Sequence, residues 1–324
     1  MDKRTLKNAI KTSPLVRRAM LGFVIPTVRA YVRYLPMPLG KQAAMRVVTM
    51  HHYGLEPPKW DFTVSTLFGR QISANTRDMV GKFIYYFGVW EPNLTRWIER
   101  RLSPGDGFID VGANIGYYSL LASKLVGRSG MVVSIEALPA IFELLEKNIK
   151  INHAGNVRAL NCAAWDAEGM LTIYTQPEDL PAQTTVMPAW AERYGFDGRS
   201  KVPAAPLSAM LKPEEFKTAR LIKIDVEGAE WHVLSGLRPL LPFCRDDLEI
   251  MVEISPVVLA AEDKTFQDLL NVLDGYGFHA YQIENRYLLE TYMRREPFKP
   301  PQRVREPFSE QTDVIFSRIN AESL

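Results

Sequence analysis

The stretch Gly105-Asp106-Gly107-Phe108-Ile109-Asp110-Val111-Gly112-Ala113-Asn114-Ile115-Gly116 runs a short apolar segment straight into a glycine-bearing turn. Phe108, Ile109 and Val111 suit a buried parallel strand. Ile115, Leu120, Leu121 and Leu125 then follow at helical spacing, so the reading is strand, tight turn, helix. Gly112 and Gly116 let backbone approach a ligand with no β-carbon in the way, and the N–H groups at the start of a helix favour electron-rich groups.

Outward from that turn the chain alternates strand and helix, which implies an α/β fold with parallel pairing and right-handed crossovers. The strands expected are Phe108–Val111, Met131–Glu136, Val157–Ala163, Leu221–Val226, Leu248–Ile254, Phe278–Ile283 and Asp313–Ser317, with helices Tyr117–Val126, Ala140–Asn152, Ala229–Leu237 and Thr265–Tyr276 between them. A further strand, Met170–Thr175, follows the turn signal Asp166-Ala167-Glu168-Gly169. The connection Glu284 to Thr312 carries no helical pattern, so the last strand is expected to turn back antiparallel. The stretch Gln176 to Pro213 is rich in Pro, Ala and Thr and reads as a long loop or lid. Upstream, Phe62 to Ser73 suggests a small hairpin, and Met79–Trp90 and Pro92–Leu102 are apolar, helix-like segments. The expected organisation is a basic helical N-terminal appendage (1–60), a hairpin and helical lead (61–104) and a core domain (105–324).

With 47% hydrophobic residues among 324, a sizeable core is expected and disorder is not. Cys162 and Cys244, the only cysteines, give no disulfide framework and fit a reducing, cytoplasmic compartment. The overall charge of +2 is unevenly spread: residues 1–52 hold ten Lys or Arg against one acid, a net +9, which leaves −7 on the rest. A net negative core disfavours nucleic-acid binding. The uncharged run Ala19 to Val28 is too short to span a bilayer, which needs about 20 residues. It reads instead as part of an amphipathic basic helix. That helix packs on the main domain or a second subunit, making a homo-oligomer, attaches peripherally to an anionic membrane through residues 1–52, or serves as an organellar targeting segment.

The chemistry is carried by acids at strand ends, because open α/β sheets bind ligands beyond the carboxyl ends of their strands. A dinucleotide site would usually show Gly-x-Gly-x-x-Gly; here the spacing is Asp110-x-Gly112-x-x-x-Gly116, with Asn114 where the second close glycine would fall. A ligand without phosphates does not need that glycine, and Asp110 suits a cationic amino group better than a diphosphate. Glu136 ends the second strand, 24 residues after Gly112, the offset at which an acid meets an adenosine ribose. An amino-acid cation, a ribose and no phosphate together describe S-adenosylmethionine. Asp110, Gly112, Asn114, Gly116 and Glu136 are the expected cradle, with Cys162 and Ala163 at the adenine edge. Asp225 and Glu227, at the tip of the strand Leu221–Val226, are the candidate bases. His232 is a third candidate, Glu230 equally suits compensation of a helix dipole, and Glu253 is a further acid along that edge. No metal-ligand spacing is present, so no metal is assigned.

Asp110-Val-Gly-Ala-Asn-Ile-Gly-Tyr-Tyr-Ser119, Asn161-Cys-Ala-Ala, Ile222-Lys-Ile-Asp-Val-Glu-Gly-Ala-Glu230 and Glu253-Ile254 together resemble the blocks of FkbM-type methyltransferases, as do Asp78 and Trp90-Glu91 upstream. The resemblance covers roughly Phe62 to Arg318. It implies a seven-stranded Rossmann-like class I methyltransferase sheet, S-adenosylmethionine as cofactor, and O-methylation of a hydroxyl on a sugar, polyketide or related metabolite. The expected partner is therefore a small-molecule or glycan hydroxyl acceptor. An N-methyltransferase on the same fold and an adenine-dinucleotide oxidoreductase are the alternatives.

Overall fold

In a computed structural model of the chain, the described residues are 20–34, 40–41, 43–44, 61–75, 78–176, 184–273, 275–294, 297–306 and 308–324. They fall into two units: Met1–Gly69 with Ser73–Pro92 and Arg286–Pro297, and Arg70–Ile72 with Asn93–Asn285 and Phe298–Leu324. Much of the expected appendage 1–60 lies outside the described residues.

In the first unit a π-helical turn, Met20–Val24, leads into α1 (Ile25–Tyr34). The expected hairpin is present as β1 (Asp61–Ser65) and β2 (Gln71–Asn75). α2 (Met79–Phe87) starts where the Asp78 side chain accepts from the backbone N–H groups of Val80 and Gly81, and it stops at Gly88, whose φ of 74° suits glycine. Phe83, Phe87, Trp90 and Tyr292 form an aromatic cluster, the Phe83 and Tyr292 rings lying 4.5 Å apart.

The second unit opens with α3 (Pro92–Arg101) and then builds the sheet. In chain order come β3 (Gly107–Val111), α4 (Tyr117–Val126), β4 (Met131–Ile135), α5 (Pro139–Ile151) and β5 (Val157–Leu160). They are followed by β6 (Ala163–Ala164), β7 (Gly169–Thr175), β8 (Thr184–Thr185), α6 (Pro188–Tyr194) and β9 (Gly198–Ala205). After two short helical segments come β10 (Ala219–Ile224), α7 (Glu230–Leu237), β11 (Glu249–Ile254), α8 (Pro256–Ala261), α9 (Phe266–Val272), β12 (His279–Ile283), β13 (Gln302–Arg303) and β14 (Thr312–Ser317).

The central sheet runs β13-β12-β14-β11-β10-β3-β4-β5. β5, β4, β3, β10 and β11 pair in parallel, and β14 lies antiparallel between β11 and β12, as expected for a class I methyltransferase sheet. β3 is buried along its whole length, which is why its sequence reads as an apolar run rather than an alternation. The apolar core on this sheet includes Ile109, Val133, Ile222, Val233, Leu237, Ile250 and Phe316.

Three boundaries differ from the sequence expectation. The third strand ends at Leu160 rather than Ala163: Asn161 and Cys162 leave the sheet, and Ala163–Ala164 joins a second, four-stranded sheet of order β6-β9-β7-β8. The described part of the stretch Gln176 to Pro213 is not a loop, because β9 pairs with β7 along its length and α6 precedes it. The Glu284 to Thr312 connection holds a short helix, Leu289–Arg294, and β13, which pairs with β12 and gives the sheet an eighth strand.

Candidate functional site

The β3–α4 turn owes its shape to close packing. Asp225 N–H donates to the Val111 carbonyl at 3.0 Å, joining the tips of β10 and β3. A β-carbon on Gly112, whose φ is +80°, would lie 1.8 Å from the Asp225 carbonyl oxygen, so only glycine fits there. Gly112 and Ala113 N–H both donate to the Ile135 carbonyl at the tip of β4. Gly116, at φ +87°, begins α4, and a β-carbon there would meet Leu145. Asn114 takes a left-handed φ of 49°, which asparagine tolerates better than most residues. Buried Asn148, from α5, donates to the Ile115 carbonyl at 2.8 Å and pins the turn from behind.

Glu136 sits just past the tip of β4 and faces this turn. One carboxyl oxygen accepts from Asn114 N–H and the other from Leu138 N–H, both at 2.9 Å. Burial pushes its pKa up to about 7, against the pull of the two backbone donors. Asn161 donates to the Glu136 and Ala137 carbonyls and fixes the turn that carries the acid. Each carboxylate oxygen has more than one acceptor site, so both keep capacity for a hydroxyl pair.

Asp110 lies deeper than its place at a strand end suggests. It is 1% exposed, and in register across the sheet it stands between Ser134 of β4 and Lys223 of β10. Ser119 Oγ donates to Asp110 Oδ2 at 2.6 Å, and Ser134 Oγ donates to Ser119 Oγ at 2.8 Å. The other carboxyl oxygen, Oδ1, is buried with no hydrogen-bond partner among the described residues. Burial raises the Asp110 pKa, with the Lys223 charge and the Ser119 hydrogen bond opposing. An orphaned carboxylate oxygen beneath a glycine turn is an acceptor in want of a donor, and an ammonium group supplies one.

Asp225 stands at the tip of β10 with its Oδ2 2.8 Å from Lys223 Nζ, and its side chain is 30% exposed. The Lys223 ammonium lies 5.1 Å from the centre of the Tyr118 ring. Glu227 is exposed and adopts a left-handed φ of 55° in the loop between β10 and α7. Glu230 holds that loop: it is buried, and its Oε1 accepts from Val226 and Gly228 N–H. Burial pushes its pKa up to about 7. Asp110, Gly112, Asn114, Gly116, Glu136 and Asp225 thus gather around the adjoining tips of β3, β4 and β10, and Glu227 rides on the loop that leaves β10.

The other candidates are held differently. Cys162 Sγ–H reaches the Pro203 carbonyl at 3.3 Å, and burial raises its pKa. Ala163 is buried in the small core of the second sheet with Leu138, Ile173, Val202 and Ala204. Both lie beyond the end of β5 rather than on it. His232 stacks on Trp165 at 3.6 Å between ring centres, with Asp166 Oδ2 at 2.8 Å from Nδ1 and Glu262 Oε1 at 3.3 Å from Nε2. Those contacts account for the imidazole without a catalytic task. Glu253 pairs in register with the buried Asp313 of β14.

Sequence reasoning passed over Ser119, Ser134, Asn148, Asn161 and Lys223. Ser134 and Lys223 had a readable signal: each is a polar residue flanked on both sides by apolar strand residues, and a buried polar or charged group requires a partner.

The sequence model of the FkbM methyltransferase domain matches residues 110–280. Methyltransferase sdnD of Sordaria araneosa is 30% identical over 161 residues, covering 41% of this chain and 61% of that protein. Methyltransferase 1 of Beauveria bassiana is 28% identical over 155 residues, covering 41% and 59%. The chain therefore spans about three-fifths of the length of these relatives. Among solved structures, Aeropyrum pernix fibrillarin with natively bound S-adenosyl-L-methionine aligns over 80% of this chain and 95% of its own, at a TM-score of 0.38 and 12% identity. The match of the domain model takes in more than half of the 324 residues, from the Asp110 strand end through the Lys223–Asp225 tip to β12, and on that ground the chain belongs to the FkbM methyltransferase family.

Proposed function

We propose that the chain is an S-adenosylmethionine-dependent methyltransferase acting on a hydroxyl of a sugar, polyketide or related metabolite. The observation that carries the reading is Glu136, held by two backbone donors beside the glycine turn, a setting suited to a carboxylate that accepts from a ribose. Asp110, with its unpartnered Oδ1, and the Gly112–Gly116 turn complete a cradle suited to an amino-acid cation and a nucleoside without phosphate. When bound, the cofactor supplies an electrophilic methyl group on a sulfonium.

The chain's own work is to hold the acceptor in line and to remove its proton. An alcohol is a poor nucleophile, so a carboxylate that takes the proton as the bond forms lowers the barrier, typically by about 10²–10⁴ in rate. Asp225 is the first choice for that base. Lys223 fixes its carboxyl at 2.8 Å, and its partial exposure leaves it accessible to a hydroxyl. Glu227 is the second. Alignment of acceptor and methyl supplies much of the remaining acceleration.

The test is mass spectrometry of sugar and polyketide alcohols incubated with the protein and isotopically labelled S-adenosylmethionine, with calorimetry for binding. Asp225→Asn is expected to lower turnover about 10²-fold or more with cofactor affinity nearly unchanged, and Glu136→Ala to weaken cofactor binding. Tight binding of a nicotinamide cofactor in place of S-adenosylmethionine would overturn the proposal, as would full activity in Asp225→Asn for the assignment of the base.

A further inference from the structure

The helical stretch 20–34 wears its polarity inside out. Its only charged residues are Arg29 and Arg33, and both turn toward the body of the unit. The Arg29 guanidinium lies 4.6 Å from the centre of the Tyr85 ring. Arg33 is 4% exposed and donates to the Ser65 carbonyl. Ile25 and Val32, on the same side, are buried. The residues left facing outward are Phe23, Pro26, Thr27, Ala30 and Tyr34, which fall on one helical stripe and include no charge. Phe23 is 72% exposed and Tyr34 66%. Helices that end at water normally do the opposite, with charge outward and apolar residues inward.

We infer that this stripe docks on an anionic lipid surface, with Phe23 and Tyr34 entering the headgroup boundary. The occupant is argued from charge. The chain just before the stripe, residues 1–19, carries Lys3, Arg4, Lys7, Lys11, Arg17 and Arg18 against a single acid, Asp2. A cationic segment joined to an uncharged, aromatic-tipped helix face is the chemistry that binds acidic headgroups while burying apolar side chains beside them. A second copy of this chain would place one such cationic segment against another. No helix among the described residues is long and apolar enough to cross a membrane.

The experiment is co-sedimentation of the full chain with phosphatidylcholine vesicles and with phosphatidylcholine–phosphatidylserine vesicles. Strong retention is expected on the anionic vesicles, falling as salt rises, with little on the neutral ones. Phe23→Ser and Tyr34→Ser should each lower retention about tenfold, and Arg17→Glu with Arg18→Glu should also lower it. Circular-dichroism melts measured alongside show that each variant is folded, so a failure of the methyltransferase reading leaves this test intact. Retention that is indifferent to lipid charge, or unchanged in both Phe23→Ser and Tyr34→Ser, overturns the inference. So does a dimer by analytical ultracentrifugation that Phe23→Ser and Tyr34→Ser dissociate, since a second copy would then cover the stripe.

Discussion

Glu136 sits at a balance point between two opposed forces. Two backbone N–H groups stabilise its charged form, whereas burial at the strand tip disfavours it more, and the outcome is a carboxyl that titrates near 7. Its ordinary value would be 4.5, so most of the acid is neutral at pH 6 and most is ionised at pH 8. An ionised carboxylate accepts from two ribose hydroxyls, while a protonated one has an acceptor site taken by its own proton. Cofactor affinity is therefore expected to rise with pH, by up to about tenfold between pH 6 and pH 8 if only the ionised form binds. Calorimetric titration of S-adenosylmethionine at the two pH values checks this, with Glu136→Gln expected to bind weakly and without the pH dependence. Equal affinity at both pH values in the unaltered protein would show that the ribose contact does not depend on this charge. Asp110 presents the contrasting case: the Lys223 charge and the Ser119 hydroxyl oppose the cost of burying it, and in the proposed cradle the ligand would meet the one oxygen they leave without a partner among the described residues.

Among the elements, the loop from β10 to α7 shows how a site can be stiffened by an acid that touches no ligand. Val226 and Gly228 N–H groups converge on Glu230 Oε1, which fixes the backbone on either side of Glu227. Burying Glu230 raises its pKa from 4.5 to about 7. The folded state then binds this proton more tightly than the unfolded state does, so the associated stability is complete below about pH 4.5 and is lost as pH rises through 7. Glu230→Gln keeps an acceptor for the two N–H groups but removes the titration. Urea unfolding at pH 5 and pH 8 should show the unaltered protein losing up to about 3 kcal/mol more than the variant over that interval; equal losses would mean that Glu230 is ionised in the fold throughout. Glu230 was readable in the sequence as an acid in a first helical turn, but its function in the loop was not, because nothing in residue spacing says which N–H groups it will face. The central parallel strands were legible for the reverse reason: β3, β4 and β10 are largely buried, so their sequences are mostly apolar runs. The β3–α4 junction was legible because backbone crowding at Gly112 admits no side chain. β9 was not, since Gly198-Arg-Ser-Lys-Val-Pro-Ala-Ala205 has little intrinsic strand preference and is held by its pairing with the distant β7. The adenine-edge assignment of Cys162 and Ala163 rested on a strand extended three residues too far, and the chain in fact crosses there into the second sheet.

On the scale of the whole central sheet, the two edges divide the work. The carboxyl edge carries Asp110, Glu136 and Asp225, whereas the amino edge carries a charge network with no role in the proposed chemistry. Glu249, at the start of β11, is 1% exposed and lies 3.2 Å from Arg101 Nε of α3 and 3.3 Å from an Arg220 guanidinium nitrogen of β10. Ser317, where β14 ends, donates to it at 3.1 Å. Burial raises the Glu249 pKa, and the two arginines oppose that rise, so the acid and its cations depend on one another. Removing the acid leaves two poorly hydrated cations facing each other at the foot of three strands and a helix. A buried ion pair adds little net stability over an apolar core, but breaking one is costly because the surviving charge remains buried. Glu249→Ala is therefore expected to destabilise the protein by about 3 kcal/mol in urea unfolding at pH 8, while changing S-adenosylmethionine affinity less than about twofold once the folded fraction is allowed for. The sheet transmits the loss as global stability because β11 pairs with both β10 and β14, and local rearrangement at the far edge is not required. A large affinity change in a fully folded Glu249→Ala protein would show instead that the two edges are coupled, and that the strand tips holding Asp225 shift when the charge beneath them is lost.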